Sequence, residues 1–138
     1  MLSNKTRNET ICENVRFAST TWQRFKGLMF EQEKNFDYCL VFEFDGSHRI
    51  EASIHMLFVF FPIDAVYLDE NKKVVDIKRN LRPFSLNYTP KAPSKYLIEI
   101  PTHLASAIGI GDQLFWELDV KKRDVQPYFP ATRTAAGL

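Results

Sequence analysis

The sequence predicts an α+β protein that is mostly β: a curled, mainly antiparallel and partly closed barrel with one early and one late short helix. Two observations lead to this prediction. Short apolar strands separated by turn residues fill most of the chain, and helical patterns do not alternate with strands as they would in a doubly wound fold. Curling is expected because it hides sheet edges and covers strands that are apolar on both faces.

The length and composition fit a single domain, which we expect over residues 4–120. The chain has 138 residues, of which 45% are hydrophobic and 25% charged, so it can bury a core without a metal or a disulfide. Its net charge of +1 provides no general attraction to nucleic acid or to an anionic membrane. A polar N-terminus and two unpaired cysteines favour a cytoplasmic protein without a membrane span.

Two strands are predicted in the first third of the chain. Residues 11–16 alternate between apolar and polar side chains, which is typical of a half-exposed strand. Residues 39–44 are predicted to form the next strand, and residues 45–47 a turn.

An early helix is predicted between these strands. Thr20 and Gln23 have the spacing of a capping box, and Gly27 is a typical end signal. The apolar stripe of this helix is formed by Trp22, Phe25 and Met29.

The middle of the chain predicts the innermost pair of strands. Residues 54–61 and 63–69 are apolar on both alternating faces, as expected for strands that are covered on two sides. A polar turn at residues 69–72 leads into a hairpin partner over 74–77. Three prolines then divide an irregular loop over residues 83–93.

The last third predicts a strand over residues 95–100 and a short helix over 102–107, which ends before Gly109. A tight turn then leads into a closing strand over 113–120. Residues 121–138 are expected to form a flexible, solvated extension.

Several segments resemble the domain of unknown function 192 family, also called uncharacterised protein family 0127. Arg24, Gly27, Leu28 and Met29 match its arginine and glycine-leucine-methionine signature. The other matching segments, in the order of the family, are residues 40–44, 61–69, 73–77, 97–101 and 109–112.

The resemblance covers about residues 4–120 and implies a β-rich barrel without an established activity. Where the family often has tryptophan, methionine, lysine, asparagine and threonine, this chain has residues 55–59, which lack the polar pair. Any chemistry of that lysine and asparagine therefore does not transfer.

Asp64 is the first candidate site residue. In an extended strand it shares a face with Val66 and Leu68, so its carboxylate needs a partner such as Arg24 or the backbone donors of a turn. Asp64 either pins the helix or a loop to the sheet, or belongs to a ligand-binding or acid–base site.

His55 is the second candidate, because it shares a predicted strand face with apolar side chains. The three histidines are scattered and neither cysteine lies near the other in the sequence, so no metal site is predicted. Cys39 lies in an apolar strand, where a thiol is usually inert. No motif predicts a cofactor.

The proline-broken loop and the residues beside it add aromatic and cationic side chains, among them Arg82, Phe84, Tyr88 and Tyr96. Such a mixture can hold an anionic ligand or a single nucleic acid strand, or it can be a solvated loop.

The sequence therefore favours a non-enzymatic binding or accessory domain, with a pocket at the barrel rim for a small ligand or a protein partner. The residues expected to bind the ligand are Arg24, His55, Asp64, Arg82 and Tyr88. One alternative is an enzyme in which His55 and Asp64 form an acid–base pair. A weaker alternative is single-stranded nucleic acid binding through residues 79–96. The oligomeric state stays open.

Overall fold

The computed structural model describes residues 1–117. Predictions for residues 118–138, including the end of the closing strand and the C-terminal extension, lie outside this range. The described residues contain one α-helix, α1 (Thr21–Lys26), and two 3₁₀ turns, Glu33–Asn35 and Ala105–Ala107. The strands are β1 (Leu2–Asn4), β2 (Glu9–Cys12), β3 (Val15–Ala18), β4 (Cys39–His48), β5 (Ile63–Leu68), β6 (Val74–Leu81), β7 (Ser94–Ile100) and β8 (Leu114–Trp116).

The strands form two sheets, which confirms the prediction of a mostly β, α+β protein. One sheet has five strands in the order β3-β4-β7-β5-β6, and the other has three in the order β2-β1-β8. Only β3 and β4 pair in parallel, whereas the other strand pairs are antiparallel. Within residues 1–117 neither sheet closes on itself, so the barrel is not seen.

The five-stranded sheet separates two hydrophobic cores, because successive side chains of a strand point to opposite faces. The first core contains Ala65, Tyr67 and Leu97 on one face. The second core contains Val66 and Ile98 on the other, together with the three-stranded sheet. The inner strands are thus covered on both sides, as predicted for residues 63–69, and all six residues of β5 are buried.

The early helix begins and ends where the sequence predicts. The backbone N–H of Gln23 donates to Thr20 Oγ1 at 3.0 Å, and Gln23 Oε1 accepts from the backbone of Thr20 at 3.2 Å, which completes the capping box. Gly27 ends the helix with a φ of +46°. However, α1 buries none of its six residues. Because the helix is so short, Met29 lies beyond it and the predicted apolar stripe stays on the surface.

The prediction of a strand over residues 54–61 is wrong. Ile54 forms an isolated bridge with Tyr88, and Met56 N donates to Ser85 O at 2.8 Å, so this segment pairs briefly with the proline-broken loop and then turns. Its inward side chains fill the first core: Ile54, Met56, Val59 and Phe61. The apolar composition therefore reflects a loop whose inward side chains are buried, although Leu57, Phe58 and Phe60 stay exposed; we call it the buried loop. Strand β7 lies between β5 and β4 in its place.

Other boundaries also differ from prediction. The first predicted strand is two strands, β2 and β3, and residues 2–4 form an additional strand, β1. The predicted turn at residues 45–47 belongs to an extended β4. The late helix is a single 3₁₀ turn. The hairpin of β5 and β6, the irregular loop and the strand at β7 are confirmed.

The two unpaired cysteines lie in contact, although they are distant in the sequence. Cys39 begins β4 and its thiol hydrogen-bonds to that of Cys12 at the end of β2. This hydrogen bond and burial raise the pKa of Cys39. The Cys39 thiol is therefore protonated and inert as a nucleophile.

A buried carboxylate fixes the N-terminal strand to the turn before β8. Asp112 Oδ2 accepts hydrogen bonds from Asn4 Nδ2 at 2.7 Å and from Gly109 N at 2.8 Å, and Arg7 Nε lies 2.8 Å away. Burial alone would raise the pKa of Asp112, but these donors and the Arg7 charge outweigh it and lower the pKa.

Removing this carboxylate is expected to destabilise the fold. Asp112→Ala removes one of the two acceptors of the buried Asn4 amide and the partner of Gly109 N and Arg7, and it should lower the free energy of unfolding by about 3 kcal/mol in urea denaturation. Asp69→Ala is the matched control, because Asp69 accepts only exposed backbone N–H groups of its own turn, and it should cost about 1 kcal/mol. Equal losses in the two variants would contradict the role given to Asp112.

Candidate functional site

A small cavity of about 100 Å³ lies between α1 and the first-core face of the five-stranded sheet. The polar side chains that line it include Arg24 from α1, His55 from the buried loop and Glu99 from β7. We call it the Arg24–His55–Glu99 pocket. Its apolar lining includes Leu28, Phe42, Ile54, Val59 and Leu97. At about 30 Å³ per water molecule, the pocket can hold about three waters or the end group of an organic molecule.

Glu99 lies at the inner end of this pocket. Strand alternation places it with Leu97 on the first-core face, opposite Ala65 of β5. Its side chain is 4% exposed, and its Oε2 has no hydrogen-bond partner in residues 1–117. Burial raises the pKa of Glu99 from its usual 4.5 to about 8. At neutral pH the carboxyl group is therefore mostly protonated and can donate a hydrogen bond.

Arg24 and His55 also have buried atoms without partners. Arg24 Nε and His55 Nδ1 make no hydrogen bond to the described part of the chain. The His55 ring packs against Phe25 at a centroid distance of 5.6 Å. Since buried polar groups are rarely left unpaired, three of them around one cavity are typical of a binding site.

Gly27 closes the pocket over Glu99. A Cβ at Gly27 would lie 3.5 Å from Glu99 Oε1 and 3.6 Å from the Phe42 ring, and its positive φ is one that residues with a side chain rarely adopt. The arginine and glycine-leucine signature thus has a structural reason: Arg24 and Leu28 line the pocket, and Gly27 lets the chain turn above the carboxyl group.

Asp64 lies on the opposite face of the sheet. It is 3% exposed, and it accepts hydrogen bonds from Asn80 N at 2.8 Å and Arg79 Nη1 at 3.4 Å. Arg79 also donates to the carbonyl groups of Ala105 and Ile108, at 3.0 and 2.6 Å. The partner of Asp64 is therefore Arg79 rather than Arg24. These contacts pin the 3₁₀ turn to the sheet, and the structure does not bring Asp64 and His55 together.

Arg82 and Tyr88 do not line the pocket either. Arg82 is exposed. The Tyr88 hydroxyl donates to Asp76 Oδ2 at 2.6 Å, and burial together with this carboxylate raises the pKa of Tyr88 to about 12. The aromatic residues of the loop are dispersed, since Phe84 packs on Phe58 and Tyr96 packs on Trp116. The structure therefore assembles no continuous stacking surface from them.

Four exposed phenylalanines form a separate cluster: Phe30, Phe58, Phe60 and Phe84. The rings of Phe30 and Phe58 stack at 5.0 Å, and those of Phe60 and Phe84 meet edge to face at 5.2 Å. Phe30, Phe58 and Phe84 all have φ between +56° and +61°. Such backbone strain in bulky residues is often found at functional sites.

The sequence prediction missed Glu99, although a signal for it was available. Leu97, Ile98 and Ile100 surround Glu99 with apolar residues in a strand, and a lone acid in a strand that is covered on both faces must be buried.

In residues 1–117, no three His, Cys, Asp or Glu side chains lie close enough together to hold a metal ion. None of the helices in this range is long and apolar enough to span a membrane.

Comparisons with known proteins identify relatives of this chain. The profile of the DUF192 family, described as "Uncharacterized ACR", matches residues 2–116. A UPF0127 protein of Thermococcus sibiricus is 40% identical over 124 residues, which cover 88% of this chain and 78% of the relative. A UPF0127 protein of Pyrococcus furiosus is 40% identical over 115 residues, or 82% and 95% of the two chains.

A crystal structure shows a similar fold. It is that of a protein of unknown function from Novosphingobium aromaticivorans, with a TM-score of 0.67 and 25% identity over 74% of each chain.

Replacing Glu99 by glutamine is expected to change how stability depends on pH. As the pH rises from about 5 to about 8, the unfolded chain releases the Glu99 proton while the folded chain retains it. The free energy of unfolding should therefore fall by about 1.4 kcal/mol per pH unit in this window. Glu99→Gln removes the titrating group. The free energy of unfolding of this variant should therefore fall less with rising pH than that of the parent protein, by about 1.4 kcal/mol per pH unit. Urea denaturation between pH 5 and 8 measures the difference.

Glu43→Gln is the matched control, because Glu43 lies on the neighbouring strand β4 with an exposed side chain. It should keep the pH dependence of the parent protein. If Glu99→Gln keeps it as well, Glu99 is not held neutral in the folded protein.

Proposed function

Since the chain belongs to the DUF192 (UPF0127) family, whose description assigns no activity, we propose a function from its own geometry: a small non-enzymatic domain that binds a ligand in the Arg24–His55–Glu99 pocket. The observation that carries this proposal is that three buried polar atoms, which have no hydrogen-bond partner within residues 1–117, surround one cavity. The sequence predicted a ligand pocket at the rim of a barrel. We place the pocket instead on the face of the five-stranded sheet that α1 and the buried loop cover.

The energetic argument is that a ligand would supply the missing hydrogen bonds. Each unsatisfied buried donor or acceptor costs about 1–3 kcal/mol. A polar group of matching size can satisfy several of them at once, and part of this cost then becomes binding free energy. The apolar lining excludes bulk water, which strengthens those hydrogen bonds.

Binding is favoured over catalysis because the described residues that line the pocket include no activated nucleophile. Ser53 is the hydroxyl that lines the pocket, and it is paired with Thr89 Oγ1 at 2.8 Å rather than with His55. An acid–base pair of His55 and Asp64 is not supported, since the two lie on opposite sides of the sheet. A His55–Glu99 pair is the second candidate, because the Glu99 pKa of about 8 is near the working range of a general acid.

The proposal is tested by NMR titration of ¹⁵N-labelled full-length protein with three small probes: acetate, acetamide and methylammonium. At least one probe is expected to shift the Gly27 amide and His55 imidazole signals saturably, with a dissociation constant in the millimolar range that suits so small a ligand. Arg24→Leu should weaken this binding at least about tenfold, the loss of one charge-assisted hydrogen bond.

Arg82→Leu is the matched control, because Arg82 is exposed and does not line the pocket. It should bind the probe like the parent protein. If none of the three probes gives a saturable shift, or if Arg24→Leu binds unchanged, the proposed function is wrong.

A further inference from the structure

We propose that the ligand of the Arg24–His55–Glu99 pocket is an organic carboxylate with an apolar tail, whose carboxylate enters the pocket and whose tail lies along Phe25 and Trp22. This inference rests on the proposed function, since it names the ligand class of the same pocket. Two separate features support it: the charge of the groups around the cavity, and an uncovered aromatic row that begins at its rim.

The polar groups of the pocket complement an anion. Arg24 Nε–H is a permanently charged donor that no acceptor in the described part of the chain satisfies. The neutral carboxyl group of Glu99 offers an O–H to the same space, and the lining also includes Lys26 and Glu51, so Arg24 leaves the pocket with a net positive charge. A cationic ligand would face both Arg24 and Lys26, whereas a carboxylate accepts from two donors at once.

The aromatic row runs from the pocket onto the surface of α1. The rings of His55 and Phe25 are 5.6 Å apart, and those of Phe25 and Trp22 are 5.9 Å apart. Phe25 is 57% exposed and Trp22 is 67% exposed.

The exposure of Phe25 and Trp22 is unusual for the apolar side of a helix. An apolar stripe on a helix normally packs against the core, yet α1 buries no residue. Because Phe25 lines the pocket and contacts Trp22, a chain that leaves the pocket would cover both rings and remove them from water.

The first experiment measures how affinity depends on tail length. The probes are acetate, butanoate, hexanoate and octanoate, titrated by calorimetry and NMR at pH 6. A methylene that is half covered by the rings should tighten binding about twofold, half the free energy of a fully buried one. From acetate to octanoate the dissociation constant should fall about sixtyfold. Hexan-1-ol, which has the same tail without the charge, should bind at least about tenfold more weakly than hexanoate.

The variants separate the two parts of the ligand. Trp22→Ala should weaken octanoate binding and leave acetate binding unchanged, since Trp22 does not line the pocket. Phe115→Ala is the matched control: Phe115 is 40% exposed but lies on β8, in the other sheet. It should change neither affinity.

A pH series tests the role of Glu99 as donor. Hexanoate binding should weaken above pH 8 by up to about tenfold per pH unit, as Glu99 loses its proton. Glu99→Gln keeps a donor there and should not show this loss. The other charged or titratable groups around Glu99 in the described residues are Arg24, Lys26, Glu51 and His55 in the pocket, Tyr67 on β5 and Tyr38 just before β4.

Four experimental results would each contradict a specific part of this proposal. If hexan-1-ol binds as tightly as hexanoate, the carboxylate is not recognised. If Trp22→Ala keeps the full dependence on tail length, the aromatic row does not hold the tail. If acetamide or methylammonium saturates the pocket while carboxylates do not, this inference is wrong and the proposed function stands. If no probe binds, both are wrong.

Discussion

The burial of the Glu99 carboxyl group in a central strand is the constraint on which the site depends. Strand alternation gives β7 one face for Ile98 and Ile100 and the other for Leu97 and Glu99, so an acid at this position cannot reach water without breaking the register. Burial then keeps the group neutral. The helix above it ends at Gly27, whose φ of +46° is one that residues with a side chain rarely adopt.

A comparison of the two buried acids of the sheet shows why one is structural and the other is available to a ligand. Asp64 pairs opposite Ile100 and Glu99 opposite Ala65, one position apart along β5 and β7, and this single step places them on opposite faces. Asp64 accepts from Asn80 and Arg79. Glu99 Oε2 accepts from no group in residues 1–117. The two carboxyl groups are buried to a similar extent, but their different hydrogen bonds give them different chemical roles.

The features that the sequence predicted correctly depend mostly on neighbouring residues. The start of α1 at Thr20, its end at Gly27 and the turn at residues 69–72 follow from local capping and turn chemistry. The strand over residues 54–61 was wrong because an apolar run does not distinguish a buried loop from a strand. In the structure Arg24 and His55 line the pocket, and their role in binding a ligand stays a prediction, whereas the sequence singled out Asp64 and not Glu99. Which of the two acids faces the pocket depends on the order of the strands in the sheet and on their register. Both are set by contacts between residues that are distant in the sequence.

The five-stranded sheet also partitions the molecule in a way that matters for its evolution. Side chains that shape the pocket belong to the first core, and those that attach the three-stranded sheet belong to the second. Effects of substitutions in separated groups of residues largely add rather than interact. Substitutions at pocket positions such as Val59 and Leu97 can therefore change ligand specificity while the second core keeps the domain folded. Homologous proteins that bind different ligands can share this fold.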